Sequence, residues 1–284
     1  MIAITGATGQ LGRLVIDALV KRVPASSIVA AVRSPEKADD LNALGVTLRT
    51  ADYNQPETLR TAFAGVEKVL LISSSEVGQR AAQHQAVIEA AKAAGVKFIA
   101  YTSLLHADTS PLGLAREHRI TEALLQASGI PFALLRNGWY TENYAASIAP
   151  ALAHHAFIGA VGAGRISSAA RADYAAAAAE VMSRDDQGGK VYELAGDDSY
   201  TLAQFSAEIA KQSGEAVDYI NLPQAEFAAA LKGAGLPEGL AEMLADSDAG
   251  AEQGGLLDNS RTLSQLIGRP TTPFAEVIKA TLAK

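Results

Sequence analysis

Three glycines at GxxGxxG spacing, Gly6, Gly9 and Gly12, follow the uncharged run Ile2-Ala3-Ile4 and lead into a stretch where Leu11, Leu14, Val15, Ala18 and Leu19 recur at helical period. A strand, a glycine turn and a helix bring free backbone N–H groups and the positive end of a helix dipole to one point. That arrangement suits a pyrophosphate. Gly6 would make the tight turn, Gly9 would let the backbone approach the phosphates, and Gly12 would let the helix pack closely on the strand. Plain strand–helix turns carry glycine triplets too, and the elements on both sides are what favour dinucleotide binding.

Arg33 is the next informative residue, twenty-one positions past Gly12 (33 − 12) and followed by Ser34. Cofactors without a 2′-phosphate usually meet Asp or Glu there, whereas a cation attracts a 2′-phosphate through charge-assisted hydrogen bonds. The expected cofactor is therefore NADPH, against the alternative of a solvated strand-end arginine. Ser73, Ser74 and Ser75 follow a fourth apolar run, where small hydroxyl residues suit a passing ribose or phosphate and equally suit a helix N-cap.

Short-chain reductases use a tyrosine with a lysine four residues on, which lowers the tyrosine pKa for proton transfer. None of the eight tyrosines has that partner. His118 and Glu122 form a helical i,i+4 pair that either faces the site or makes a surface contact. The stretch Asn137-Gly138-Trp139-Tyr140-Thr141-Glu142-Asn143 follows a sixth apolar run and supplies an aromatic wall with two amides. Asn143 could donate to a substrate carbonyl oxygen as charge develops on it, or brace the helix that follows. No metal site is expected. His154 and His155 are adjacent and do not share a helix face, and the calcium-like start at Asp246-Ser247-Asp248 has Leu257 where a bidentate Glu belongs.

These residues need a scaffold, and the rest of the chain describes one. Apolar runs at Ser27–Arg33, Val46–Arg49, Lys68–Ile72, Lys97–Thr102 and Pro131–Leu135 alternate with helical segments at Glu36–Leu44, Pro56–Ala64, Val77–Ala94 and Pro111–Ser128. Six continuously apolar strands alternating with helices predict an α/β fold, a Rossmann-type doubly wound parallel sheet with ligands at the strands' carboxyl ends. Residues 1–150 are expected to form the dinucleotide-binding domain. Residues 151–284 read as a small mixed α/β cap, interleaved with that core. In it, short strands are expected at Phe157–Gly159, Arg165–Ser168, Val191–Ala195 and Val217–Leu222. Helices are expected at Asp173–Met182 (capped by Asp173), Thr201–Ser213, Gln224–Gly233, Glu238–Ala245 and Pro273–Leu282, with a surface loop at Ser247–Ser260.

The chain has 284 residues, 49% hydrophobic and 19% charged, with net charge −7 and no cysteine. This composition supports a folded core, excludes thiol and disulfide chemistry, and argues against a nucleic-acid surface. No apolar run approaches the ~18 residues of a membrane span. The chain opens on its first strand with no secretory leader, so a cytoplasmic location is expected.

The segments Gly6–Gly12 and Leu135-Arg136-Asn137-Gly138-Trp139-Tyr140, with the missing tyrosine–lysine pair, resemble the NmrA-like atypical short-chain dehydrogenase/reductases. The runs Leu71–Arg80 and Lys97–Gly113 carry the same likeness, which extends from Met1 to about Thr272. The resemblance implies an NADPH-dependent reductase of small quinones. It assigns cofactor binding to Gly6, Ala7, Thr8, Gly9, Gln10, Leu11, Arg33, Ser73, Ser74, Ser75, Asn137, Gly138, Trp139, Tyr140, Thr141, Glu142 and Arg171, and places Asn143 near the substrate. Thr141 stands where that pattern has serine and keeps the hydroxyl. The rivals are a redox sensor that binds NADP(H) without turnover and a reductase of dyes or other conjugated carbonyls.

Overall fold

The computed structural model describes residues 1–283. The first half alternates strand and helix: β1 (Ile2–Ile4), α1 (Gln10–Leu19), β2 (Ile28–Val32), α2 (Asp39–Ala43), β3 (Thr47–Thr50), α3 (Pro56–Ala62), β4 (Lys68–Leu71), α4 (Arg80–Ala93), β5 (Phe98–Leu104), α5 (Ala115–Ser128) and β6 (Phe132–Asn137). There follow α6 (Thr141–Ala145), α7 (Ile148–His154), β7 (Ala156–Gly159), α8 (Arg171–Ser183), β8 (Val191–Leu194), α9 (Leu202–Ser213), β9 (Asp218–Asn221), α10 (Gln224–Gly233), α11 (Glu238–Glu252), α12 (Thr262–Ile267) and α13 (Phe274–Leu282).

Among the described residues seven strands make one sheet in the order β3-β2-β1-β4-β5-β6-β8. Every neighbouring pair from β3 to β6 runs parallel. The strand order reverses between β1 and β4, so the carboxyl ends of those strands flank the switch point where such sheets bind ligands. β2 and β5 are buried along their whole length, as continuously apolar strands in a covered sheet should be. β7 and β9 form a separate two-stranded parallel sheet.

The chain divides into two compact units. The first comprises Met1–Leu104, Arg116–Asn137 and Arg171–Tyr192, and the second Leu105–Ala115, Gly138–Ala170 and Glu193–Lys284. The first unit thus draws α8 from beyond residue 150. α8 packs against α1, and its buried alanines, among them Ala175, Ala177, Ala178 and Ala179, allow the two helices to approach closely. In the second unit Phe205 stacks against Tyr200 and Phe274, and α9 begins with a Thr201–Gln204 capping box.

Three expectations are corrected. Arg165–Ser168 is not a strand, since only Ile166 pairs, in a single antiparallel bridge to Tyr200. Asp173 does not cap its helix: α8 starts at Arg171, with Asp173 buried inside the first turn. Ser247–Ser260 is not a surface loop in its first half, because α11 runs on to Glu252 and buries Ser247, Asp248, Gly250 and Ala251. The helix expected after Asn143 is two helices, α6, which contains Asn143, and α7, and α12 adds a helix that the sequence pattern does not indicate.

Candidate functional site

In the first unit Gly6 leaves β1 with φ of +59°, a left-handed conformation that glycine adopts without strain. Gly9 N–H donates to the Gly6 carbonyl at 2.9 Å, closing the turn. A Cβ on Gly12 would lie 2.7 Å from Ala7 Cα and would also collide with the Gly6 carbonyl, so α1 packs directly on the loop backbone. Gly9 is the N-cap of α1, no side chain caps the helix, and its first turn holds no acidic residue. Its leading N–H groups are therefore offered to an anion without a competing carboxylate. Arg13 braces this loop, donating from Nε to the Thr8 carbonyl at 3.1 Å and from Nη2 to the Lys37 carbonyl at 3.1 Å.

Arg33 follows β2 with its side chain 70% exposed and Nη1 3.3 Å from Glu76 Oε1. The Ser73–Ser75 segment after β4 is held from below. Ser73 N–H donates to Thr102 Oγ1 at 2.8 Å, Ser74 N–H to His84 Nε2 at 2.9 Å, and Arg80 Nε to the Ser74 carbonyl at 2.7 Å. Tyr53, another strand-end residue, donates from its hydroxyl to the Ile72 carbonyl at 3.0 Å, and burial raises its pKa. At the end of β6, Asn137 is buried and its Oδ1 has no hydrogen-bond partner, an acceptor left over for a ligand's donor. Arg171 opens α8 in this same unit.

His118 and Glu122 are both in α5 but engage different partners. His118 Nδ1 is 2.7 Å from the Tyr101 hydroxyl and its Nε2 3.5 Å from Arg80 Nη1. Burial and then the Arg80 charge hold its pKa well below the ordinary histidine value, so it is neutral. Glu122 takes a two-pronged contact from Arg136, at 3.0 and 2.8 Å, and accepts from Ser103 Oγ at 2.6 Å. Sequence reasoning missed Arg80 and His84. With Gln83 they are the polar residues on a buried side otherwise made of Val87, Ile88, Ala90 and Ala91, and that contrast was the available signal.

The second unit holds Gly138–Asn143. Trp139 is buried, and its carbonyl accepts from Ala169 N–H at 3.1 Å. Thr141 is fully buried, its hydroxyl 2.7 Å from Ser168 Oγ, which lies 2.6 Å from the Tyr200 hydroxyl. Asn143 sits on α6 beside Tyr144, whose hydroxyl donates to Asp248 Oδ1 at 3.0 Å. Asp248 Oδ2 accepts from Ala160 N–H at 2.9 Å, and burial pushes the carboxyl up to about 6 against those two hydrogen bonds. Among the described residues no cluster of three or more His, Asp or Glu is arranged to hold a metal, and no helix is long and apolar enough to cross a membrane.

Known proteins share this fold. The chain is 67% identical to quinone oxidoreductase 2 of Escherichia coli over 278 residues, covering 98% of this chain and 97% of that one. The crystal structure of an NADPH-dependent quinone oxidoreductase from E. coli complexed with NADPH superposes with a TM-score of 0.97 at 66% identity, covering 99% of this chain and 100% of the other. The Citrobacter sp. triphenylmethane reductase complexed with NADP(H) gives a TM-score of 0.94 at 38% identity, with 99% and 100% covered. Residues 6–185 match the NAD(P)H-binding family, and the chain belongs to that family of Rossmann-type proteins.

Proposed function

We propose that this chain is an NADPH-dependent quinone oxidoreductase, an enzyme that passes a hydride to a small quinone. The observation that carries this reading is the likeness, over nearly the whole chain, to an E. coli quinone oxidoreductase. The chain's own residues fit the cofactor: an uncapped α1 N-terminus behind a glycine turn, a cation after β2, and a leftover buried acceptor on Asn137. When bound, NADPH supplies the hydride.

The protein's part is to bind and orient. The N–H groups of Gly6–Leu11 would hold the pyrophosphate, Arg33 would meet the 2′-phosphate, and Ser73–Ser75 would border the ribose and phosphate. In the first unit Asn137 and Arg171 would add to the cofactor contacts; in the second, Gly138–Glu142 are the residues that the resemblance assigns to the cofactor, and Asn143 would donate its amide to the quinone oxygen. A quinone accepts hydride readily and its reduced oxygen is weakly basic, so the proton can come from solvent and no strong acid is needed. His118, neutral and tied to Tyr101 and Arg80, then acts by packing and not as an acid. A cytoplasmic setting, where NADPH is the common reductant, goes with this reading.

The likeness to triphenylmethane reductase favours a second reading, in which triphenylmethane dyes are also accepted. The test is NADPH oxidation, followed by the loss of reduced-nicotinamide absorbance, with 1,4-benzoquinone and with triphenylmethane dyes. Turnover with the quinone is expected. Cofactor binding without turnover across a quinone panel would overturn the proposal and leave a binding protein.

A further inference from the structure

The end of β2 and the loop after β4 meet at one ion pair, Arg33 Nη1 with Glu76 Oε1 at 3.3 Å. Glu76 is not loose there. Its other oxygen accepts from Gln83 Nε2 at 2.9 Å, and the same nitrogen donates to Asn54 Oδ1 at 3.2 Å. Gln83 is 3% exposed, so Glu76 is tethered by a buried amide. Its backbone is fixed as well, since Glu76 N–H donates to Ser74 Oγ at 3.1 Å. A carboxylate is thus pinned beside the cation that would read a 2′-phosphate.

We propose that Glu76 sets the cofactor selectivity of this corner, competing with a 2′-phosphate for Arg33 and offering an acceptor to a bare 2′-hydroxyl. The inference rests on the cofactor reading above. In Rossmann-type sites the ribose 2′-hydroxyl is ordinarily met by an acid at the end of the second strand, while an arginine there receives a 2′-phosphate. Here the cation holds that position and the acid reaches it from the far side of the corner. The pair is exposed, with 70% and 42% of the two side chains accessible, so it is weak and a phosphate can displace it. Once displaced, the tethered carboxylate stays near the phosphate as a like charge. NADPH is consequently preferred by less than Arg33 alone would allow, and NADH keeps a partner.

The experiment is calorimetric titration of the cofactor-free protein with NADP+ and NAD+, which differ only in the 2′-phosphate, in the wild type, Glu76→Gln and Arg33→Ala. Glutamine keeps the length and removes the charge. The affinity ratio of NADP+ over NAD+ is expected to rise about three- to fivefold in Glu76→Gln, the range an exposed charge contact supports. In Arg33→Ala it is expected to fall towards unity. The Glu76→Gln gain is expected to shrink in high salt, as exposed charges are screened. An unchanged or lowered ratio in Glu76→Gln, with both ligands still bound by the wild type, overturns this inference alone. A wild type that binds neither ligand overturns the cofactor reading and this inference with it.

Discussion

Ser74 has both backbone groups tied from beneath, its N–H to His84 Nε2 and its carbonyl to Arg80 Nε. His84 Nδ1 lies 2.9 Å from Thr121 Oγ1, and that hydroxyl donates in turn to the Glu117 carbonyl at 3.2 Å. The chain of donors requires a neutral imidazole with its proton on Nδ1. Burial, aided by the Arg80 charge, supplies that by pushing the pKa down to about 3. His84→Ala would strand the Ser74 N–H, which predicts a loss of about 1–3 kcal/mol of stability in denaturant titrations. It should also raise KM for NADPH several-fold at nearly constant kcat. His84→Gln, which restores an acceptor, should recover part of both. At Asn143 the split is expected to reverse: Asn143→Ala should lower kcat on the order of ten- to a hundredfold with KM for NADPH unchanged, and unchanged turnover would remove the amide from the reaction. These residues differ in how readable they are. Gly6–Gly12 and Arg33 announce themselves by local spacing, whereas His84 acquires its role from a loop ten positions earlier and a threonine on another helix, which no periodicity encodes.

Among the elements, α1 and α11 show what small residues do where helices pass close to backbone. On α1 a Cβ at position 12 meets Ala7 Cα at 2.7 Å and Ala7 O at 2.9 Å, neither of which can rotate away, whereas a Cβ at position 9 meets only the Gly6 carbonyl at 3.1 Å. Gly12→Ala is therefore expected to lift α1 off its loop, abolish NADP+ binding in titration and cost about 1–3 kcal/mol. Gly9→Ala should disturb the fold less and fail mainly at the phosphates. Equal melting temperatures for Gly12→Ala and the wild type would contradict the close-packing argument. The same physics hid α11. Its second half, rich in Ser, Asp and Gly, reads as loop by propensity, yet Ser247 Oγ bonds back to the Met243 carbonyl at 2.8 Å and Asp248 is satisfied by Tyr144 and Ala160. A Cβ at position 250 would sit 2.9 Å from Leu112 Cγ and 3.3 Å from its Cα, so the glycine lets α11 pass close to that residue. Tertiary partners overrode local preference at Asp248 and Gly250, and a bond back to the preceding turn satisfies Ser247. The parallel core strands, by contrast, were legible because continuous burial leaves an uninterrupted apolar run.

At the scale of the whole molecule the two units share the chain, because α8 belongs to the first and Leu105–Ala115 to the second. The units also carry buried titratable groups of opposite sign. In the first, His84 titrates at about 3 and His118 well below the ordinary value, both chiefly through burial. The unfolded chain, with histidine pKa about 6.5, binds more protons than the folded one, so this contribution is complete above about pH 6.5 and is lost as pH falls towards the folded pKa. The loss is up to about 1.4 kcal/mol per pH unit for each histidine. In the second unit Asp248 is raised to about 6, again mainly by burial. There the folded state binds more protons between the unfolded carboxyl value, about 3.9, and 6, so the contribution is present at low pH and is lost as pH rises through about 6. Acidification from about pH 7 to about pH 5 should therefore loosen the first unit while tightening the surroundings of Asp248 in the second. Hydrogen exchange of the cofactor-free protein, corrected for intrinsic rates, reads the two separately. Amides of α4 and the Ser73–Ser75 segment should lose protection at the lower pH, and those of α6 and α11 should keep or gain it. Asp248→Asn should abolish the second trend and leave the first intact, whereas a uniform loss of protection in both units would rule out opposed titration as the source of the acid response.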